Sequence, residues 1–306
     1  MLSLHQSEEK ALDFYLKIKD KIVGLEALEL TEEHVKKLII SKPTELLELN
    51  NQFMNAFFEE YNFEEYSAYA NSPKEAKETN KYDDKTSKIK NAFNYSKIIG
   101  NKYDLAELLD QHTCTYCNRN YVKTVGKTSS RVTRAEYDHF FSKSKYPFLA
   151  LSFYNLIPIC SPCNKKKSNK DFNIATHLHP YFMDNEEKKF NFSFRKKDFN
   201  DNNVKINIST LNEDINNKIN KTFDDLALRK IYNAHSDKEL KDLLDLRYKY
   251  SDNYIEILIN KTFNGIMSKE EIYRTIFGVE IKEEDYHKRP FSKFKHDIIE
   301  ELLRIK

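Results

Sequence analysis

The stretch RAEYDHFFSKSKYPFLALSFYNLIPICSPCNKKKSNK, residues 134–170, decides the fold. It runs into Asp138-His139, crosses SKSKYP, a loop composition ending in proline, and returns on the apolar Leu156-Ile157-Pro158 after Asn155. Ser161-Pro162 then suit the N-cap and first turn of a helix, which places Asn164 in that first turn. Just upstream, Arg119 to Val125 and Arg131 to Tyr137 flank GKTSS with period-two patterning and read as a hairpin. Hairpin, loop and helix are therefore expected in succession.

Two CxxC pairs enclose this unit. Cys114 and Cys117 lie before it, and Cys160 and Cys163 lie at its end. In a chain with no visible secretory signal, paired cysteines at this spacing point to a metal rather than to disulfides. Two CxxC turns complete the tetrahedral four-sulfur shell that Zn²⁺ accepts, and a closed shell is structural. Four buried free thiols are the plainer alternative. His112 stands close enough to replace a cysteine as ligand but is not needed.

In order and spacing, Asp138-His139, Asn155-Leu156-Ile157-Pro158 and Cys160-x-x-Cys163-Asn164-x-x-Lys167 closely resemble the zinc-containing HNH endonuclease pattern of the ββα-metal superfamily. The resemblance implies His139 as general base, Asp138 and Asn164 as ligands of a catalytic Mg²⁺ or Mn²⁺, and Asn155 as the residue that fixes the His-bearing loop. It also implies products with 5′-phosphate and 3′-hydroxyl ends. The residue types suit that chemistry independently. An imidazole titrates near neutral pH, and hard oxygens suit Mg²⁺, which keeps much of its shell for water and phosphate. Lys167 would share the helix face of Asn164 and reach a phosphate, with Lys165, Lys166 and Lys170 as further nucleic-acid contacts or simply a solvated face. One condition attaches. Neighbours on a strand point to opposite faces, so Asp138 and His139 can serve one site only if the strand bends or ends there. His177 and His179, in ATHLHPYF, are read as structural.

Outside residues 111–180 the chain reads as mostly helical. Glu8 to Val23 carries an apolar stripe through Leu12, Tyr15 and Leu16 and stops at Gly24; Pro43 opens a second helix; Lys88 to Ile99 forms another, ending before Gly100. Residues 70–87 are polar and read as a loop. Phe190, Phe192 and Phe194 alternate against Val204, Ile206 and Ile208, a second hairpin. Helices are then expected over Asn212 to Ala234, Ser236 to Tyr250, from a Ser268–Glu271 capping box to Gly278, and over Phe291 to Ile305. The fold class is thus α+β, a helix-rich chain around a zinc-stapled ββα-metal core, with regions 1–110, 111–180 and 181–306.

With 306 residues the chain is long enough for one large domain or several, and its 5 glycines leave no GxGxxG or GxxxxGK phosphate loop. Any nucleotide-driven control therefore falls to a partner such as a separate ATPase subunit. No apolar run approaches a membrane span, and a cytoplasmic location is expected. The net charge of +2 hides an uneven split: −6 over residues 1–110, +8 over 111–180, and zero over 181–306. A basic centre fits a surface that meets phosphates, so nucleic acid is the expected partner, DNA favoured over RNA by family habit. The acidic N-terminal region is expected to limit access to that surface, to dock a partner, or to be plain solvated helix. The rival function is a zinc-dependent nucleic-acid-binding or protein interaction module without catalysis. The tail resembles that of bacterial HNH proteins of unassigned function, some of them similar to nucleases of phage-defence or restriction systems.

Overall fold

The computed structural model describes residues 1–100, 103–127, 129–198, 201–249, 254, 257–263 and 265–304. Helix α1 (Glu8–Ile18) starts where the Ser7 hydroxyl accepts from the Lys10 backbone N–H at 3.2 Å, with Glu8 and Glu9 in its first turn. Its buried face is Ala11, Phe14, Tyr15 and Ile18, while Leu12 and Leu16 are exposed. The two candidate stripes share Tyr15, and the one carrying a second aromatic ring buries more surface. The helix also stops at Ile18, short of Val23. Helix α2 (Glu32–Ile40) has no counterpart in the sequence reading; its capping box closes with His34 rather than the usual Glu or Gln.

Pro43 opens α3 (Pro43–Phe57) as expected. After α4 (Phe63–Asn71), the polar stretch 70–87 proves partly helical, holding α5 (Lys74–Lys77) and the start of α6 (Asp83–Ala92). A few apolar anchors suffice there, since α6 buries Thr86, Ile89 and Ala92 on one face. The helix expected over Lys88 to Ile99 is broken at Phe93. Asn94 Oδ1 accepts from the Lys97 N–H at 3.0 Å and starts a separate turn, α7 (Tyr95–Ile98), which directs Tyr95 inward. Helix α8 (Tyr103–Leu109) leads to the first cysteine pair.

The hairpin around GKTSS is shorter than its pattern suggested. Strands β1 (Val125–Lys127) and β2 (Ser130–Thr133) pair with each other, whereas β3 (Glu136–His139) pairs with β4 (Leu156–Ile159). Thr128 of that turn lies outside the described residues. Helix α9 (Ser161–Lys167) follows β4 directly, with Cys160 rather than Ser161 at the N-cap position and Pro162 in the first turn. The second hairpin is as expected: β5 (Phe190–Asp198) against β6 (Asp201–Ile208), with Phe190 opposite Ile208, Phe192 opposite Ile206 and Phe194 opposite Val204.

The helix expected over Asn212 to Ala234 divides into α10 (Glu213–Asp225) and α11 (Leu228–Asn233) at Ala227, whose φ is 54°. Then come α12 (Lys241–Lys249), α13 (Lys269–Phe277), with its Ser268–Glu271 capping box and left-handed Gly278 cap, and α14 (Ser292–Arg304). The expected ends at Tyr250 and Ile305 lie outside the described residues.

One continuous apolar cluster runs from the N-terminal helices through residues 114–163 to α14. On one side, α2, α3 and α6 pack against the turns at Pro147–Leu151 and Phe153–Asn155, and Ser152 Oγ donates to the Leu38 carbonyl. On the other, Tyr232 Oη donates to the Cys117 carbonyl at 2.6 Å, and the Phe291 N–H donates to the Asn118 carbonyl at 2.6 Å. The short β3–β4–α9 unit is small for a core of its own and shares that of its flanks.

His177 and His179 are both buried in this packing. His177 stacks on Phe172 at 3.9 Å between ring centroids and sits 3.0 Å from Asp225 Oδ2; His179 packs on Phe140 at 4.2 Å. Burial lowers the His179 pKa from an imidazole's usual 6.5 to about 3. Between those values the unfolded chain binds the proton and the native ring does not, so stability present above pH 6.5 is expected to fall as pH drops towards 3. Denaturant midpoints across that window should show the slope, and His179→Gln should flatten it. An identical slope in both proteins would place the effect elsewhere.

Candidate functional site

The cysteines come first, because they hold the rest. Cys114, Cys117, Cys160 and Cys163 are all buried, and their sulfurs lie within 4.8 Å of one another. The Cys117 and Cys160 sulfurs are 3.9 Å apart, close to the edge of a tetrahedron built on Zn–S bonds of about 2.3 Å. The first pair forms a tight knuckle: the Asn118 N–H donates to the Cys114 carbonyl at 2.7 Å, Asn118 is left-handed, and the Arg119 N–H donates to the Cys117 sulfur at 3.4 Å. Cys160 follows β4 at the N-cap of α9 and Cys163 sits in the first turn of that helix, so strand and helix geometry deliver the second pair. Hydrogen bonding from Cys114 pulls the Cys117 thiol down and the Cys160 thiol to about 7, while burial pushes Cys114 up. A thiolate-ligated cation suits this donor set, and the cluster is consistent with structural zinc. His112 is not part of it; its Nε2 lies 3.1 Å from Asp110 Oδ1.

The knuckle reaches the second cluster directly. Thr115 Oγ1 donates to the Pro158 carbonyl at 2.8 Å, docking the knuckle on β4. Its neighbour Tyr116, fully buried, donates from Oη to Asp138 Oδ2 at 2.6 Å. Asp138 Oδ1 accepts from Lys167 Nζ at 3.0 Å, and the same ammonium donates to the His139 carbonyl at 2.8 Å. Both carboxylate oxygens of a side chain only 6% exposed are thus held.

His139 is the last residue of β3, which meets the condition set by strand geometry: Asp138 and His139 border the same cavity of 330 Å³. His139 Nε2 donates to the Ala150 carbonyl at 3.0 Å. A ring nitrogen facing a carbonyl must carry the proton, so in the neutral ring Nδ1 is the basic nitrogen. The ring packs edge-on to Tyr95 at 4.7 Å between centroids. Asn155 lies behind, fully buried. Its Oδ1 accepts from the Phe141 N–H at 2.7 Å, and its Nδ2 donates to the Phe141 and Leu149 carbonyls at 3.1 and 2.9 Å. It ties the chain leaving His139 to the turn that supplies the carbonyl under the imidazole.

Asn164 also borders the cavity, and its Nδ2 donates to Glu136 Oε2 at 2.7 Å, which leaves Oδ1 as the end that could hold a cation. Lys165 and Lys166 are exposed on α9. Lys167 is buried, its ammonium committed to Asp138. Lys170 Nζ turns away to Asp225, donating to its carbonyl at 2.6 Å and to Oδ1 at 3.0 Å.

Three site residues escape the sequence reading. Glu136 stands two positions before Asp138 and so shares its strand face, a signal that was available. Tyr116 was visible only as a spacer in CTYC. Tyr95 comes from the acidic N-terminal region, which with Ser96 forms one wall of the cavity and so is more than a cover over it. Among these, Tyr116→Phe is the sharpest probe: it deletes one charge-assisted hydrogen bond while keeping the ring. Any metal-dependent cleavage is expected to slow about tenfold at saturating metal, about 1.4 kcal/mol, with zinc content unchanged. An unchanged rate would show that Lys167 alone holds Asp138.

Comparison with known proteins agrees with this geometry. Residues 114–170 match the family model described as HNH endonuclease. A Septu protein PtuB from Bacillus thuringiensis is 28% identical over 109 residues, a match covering 34% of this chain and 40% of that relative's length. No solved structure matches the chain. No helix among the described residues is long and apolar enough to cross a membrane. The four clustered thiols, the β3–β4–α9 unit and the cavity-lining Asp138, His139 and Asn164 all fall within the matched span, and this chain therefore carries an HNH endonuclease-family domain at residues 114–170.

Proposed function

We propose that this chain is a metal-dependent endonuclease that hydrolyses phosphodiester bonds in nucleic acid, DNA favoured over RNA, in a bacterial defence system. The observation that carries the reading is the convergence of Asp138, His139 and Asn164 on one cavity, with the imidazole oriented by the Ala150 carbonyl. His139 Nδ1 takes a proton from the attacking water as the new O–P bond forms. The bond to the 3′ oxygen breaks and that oxygen takes a proton from solvent, leaving 5′-phosphate and 3′-hydroxyl ends. The donor set of Asp138 and Asn164 Oδ1 fits Mg²⁺ or Mn²⁺, with Glu136 beside it as a third carboxylate or amide oxygen source. A cation bound there would offset charge on the phosphoryl oxygens and leaving group. The Lys167 ammonium already occupies Asp138 Oδ1, so a cation held by Asp138 would share that carboxylate with Lys167 or displace it.

Lys165 and Lys166, exposed on α9, are assigned to phosphate contacts of the substrate, and Lys167 and Lys170 to holding the core. The likeness to a Septu protein supports the defence setting. Because the chain has no phosphate-binding glycine loop, a separate ATPase subunit is proposed as the regulatory partner. The test is incubation of pure protein with plasmid, single-stranded DNA and RNA, with Mg²⁺, with Mn²⁺, and with neither. Metal-dependent cleavage leaving ligatable ends is expected. Binding without cleavage under every condition would leave only a nucleic-acid-binding module.

A further inference from the structure

All four residues of β2 are exposed, as are Val125 and Gly126 of β1, and since neighbours on a strand point to opposite faces, both faces of this ribbon are open to solvent. At its foot Val122 is buried, while Tyr121 and Lys123 are exposed. The chain holds no Asp or Glu between Asp110 and Glu136, and this span carries Arg119, Lys123, Lys127, Arg131 and Arg134. Arg119 lies 3.2 Å from His235 Nε2, back towards the core. Of the others, Lys123 and Lys127 belong to the first limb of the ribbon, and Arg131 and Arg134 to the second. The pairing slips by one residue between Val125 and Gly126, which leaves Val132 without a residue opposite it and 72% exposed. Such a bulge increases the right-handed twist of the pair. Gly126 has a φ of 96°, and a Cβ there would clash with the Ser130 carbonyl, so the two limbs close tightly.

A narrow, twisted ribbon with cations on both limbs and two open faces matches an anionic partner that has a groove. Resting on the nuclease reading for the class of partner, we propose that β1–β2 is an arm that enters the major groove of duplex DNA beside the catalytic cavity. Two strands about 4.8 Å apart form a ribbon that the major groove of B-DNA, about 12 Å wide, admits. A phosphate backbone runs along each rim of that groove, so each limb of the ribbon meets its own strand of phosphates. Val125 and Val132 add apolar surface of the kind that contacts thymine methyl groups. The major groove of A-form RNA is deep and too narrow for such an insertion, so the arm favours DNA, a preference that the Asp138–His139 cluster alone does not set. Its place relative to the site is fixed by the chain. Only Arg134 and Ala135 separate β2 from β3. Burial raises the pKa of the Tyr95 hydroxyl at the cavity wall and the Arg134 charge opposes that rise, which sets this guanidinium within electrostatic reach of the wall. Ser130 is eight residues from Asp138, at most about 28 Å of extended chain and shorter than one duplex turn of about 34 Å. The arm therefore grips the duplex within one turn of the scissile phosphate.

The test is binding rather than cleavage, so a chain that binds but never cuts would overturn the nuclease reading and leave the arm standing. Anisotropy of a labelled blunt DNA duplex, of duplex RNA of the same sequence and of the single DNA strand is measured on the full chain across a salt series, without added divalent cation. The double variant Lys123→Gln with Arg131→Gln is expected to weaken duplex DNA about tenfold or more and to lower the slope of log affinity against log salt by about 2, with zinc content and melting unchanged. Affinity for duplex RNA should change little. A duplex carrying 5-bromouracil, whose bromine replaces the thymine methyl in the major groove, should cross-link to the unaltered chain within residues 121–133. That measurement stands even if the double variant folds poorly. Wild-type affinity and salt slope in a folded double variant, equal losses on all three nucleic acids, duplex RNA bound as tightly as duplex DNA, or cross-links confined to other segments would each overturn the proposal.

Discussion

His139→Ala is expected to reduce cleavage by about 10²–10⁴-fold while zinc content and nucleic-acid affinity stay near those of the unaltered protein. A general base acts on the proton leaving the attacking water, an interaction made in the transition state, so its loss appears in kcat rather than in ground-state binding. The geometry limits side effects. The imidazole contacts the Tyr95 ring and the Ala150 carbonyl, and the Asp138 network to Tyr116 and Lys167 runs through other atoms. Single-turnover cleavage, with elemental zinc and anisotropy on the same preparations, reads all three quantities. Wild-type cleavage by the alanine protein would remove His139 from the role. The ligand positions call for gentler changes: Asp138→Ala would strand the buried Lys167 ammonium, whereas Asp138→Asn keeps a partner for it. Asp138→Asn and Asn164→Ala are expected to raise the Mg²⁺ or Mn²⁺ needed for half-maximal rate.

Loss of any one of Cys114, Cys117, Cys160 or Cys163 is expected to have the largest effect on the folded state. One tightly held Zn²⁺ per chain is the expected elemental result, and binding free energies of about 10–16 kcal/mol for structural zinc in small sites exceed most whole-domain stabilities. Damage should spread beyond the metal. The knuckle that carries Cys114 and Cys117 also holds Asp138 through Tyr116, β4 through Thr115, and the C-terminal helices through the Cys117 and Asn118 carbonyls. Cys117→Ser is thus expected to lower solubility, melting temperature and activity together, whereas His139→Ala lowers activity alone. Freshly purified, folded protein without zinc would overturn the assignment.

These two results bear on different layers of what was legible beforehand. The paired cysteines were identifiable from residue type and spacing because metal chemistry imposes both, and Asp138-His139, Asn155 and Asn164 stood out through their resemblance to the HNH pattern. The Phe190–Ile208 hairpin was legible because period two in two runs joined by a short polar stretch puts the apolar residues of both on one face, while the exact register came from the structure. Less was readable where two local patterns competed. On α1 the stripe through Leu12 lost to the one through Phe14, and the run from Lys88 to Ile99 broke at Asn94 to cap a new turn. Both choices depend on which neighbour each face meets, a quantity absent from any local window.

By itself, then, the sequence determined the chemistry available: four thiols at metal spacing, an imidazole beside a carboxylate, a basic centre and a helix-rich frame. Only the tertiary structure decided how those groups are held and who their neighbours are. Tyr116 becomes the support of Asp138 because the knuckle docks on β4, and Lys167 is withdrawn from solvent because α9 packs on β3. Tyr95, far upstream in an acidic region, reaches His139 because burial of apolar surface draws α6 and the turns before β4 together. Hydrophobic burial is non-directional and acts across any sequence distance, so the partners it selects are written in the packing of the whole chain and not in the spacing of a motif.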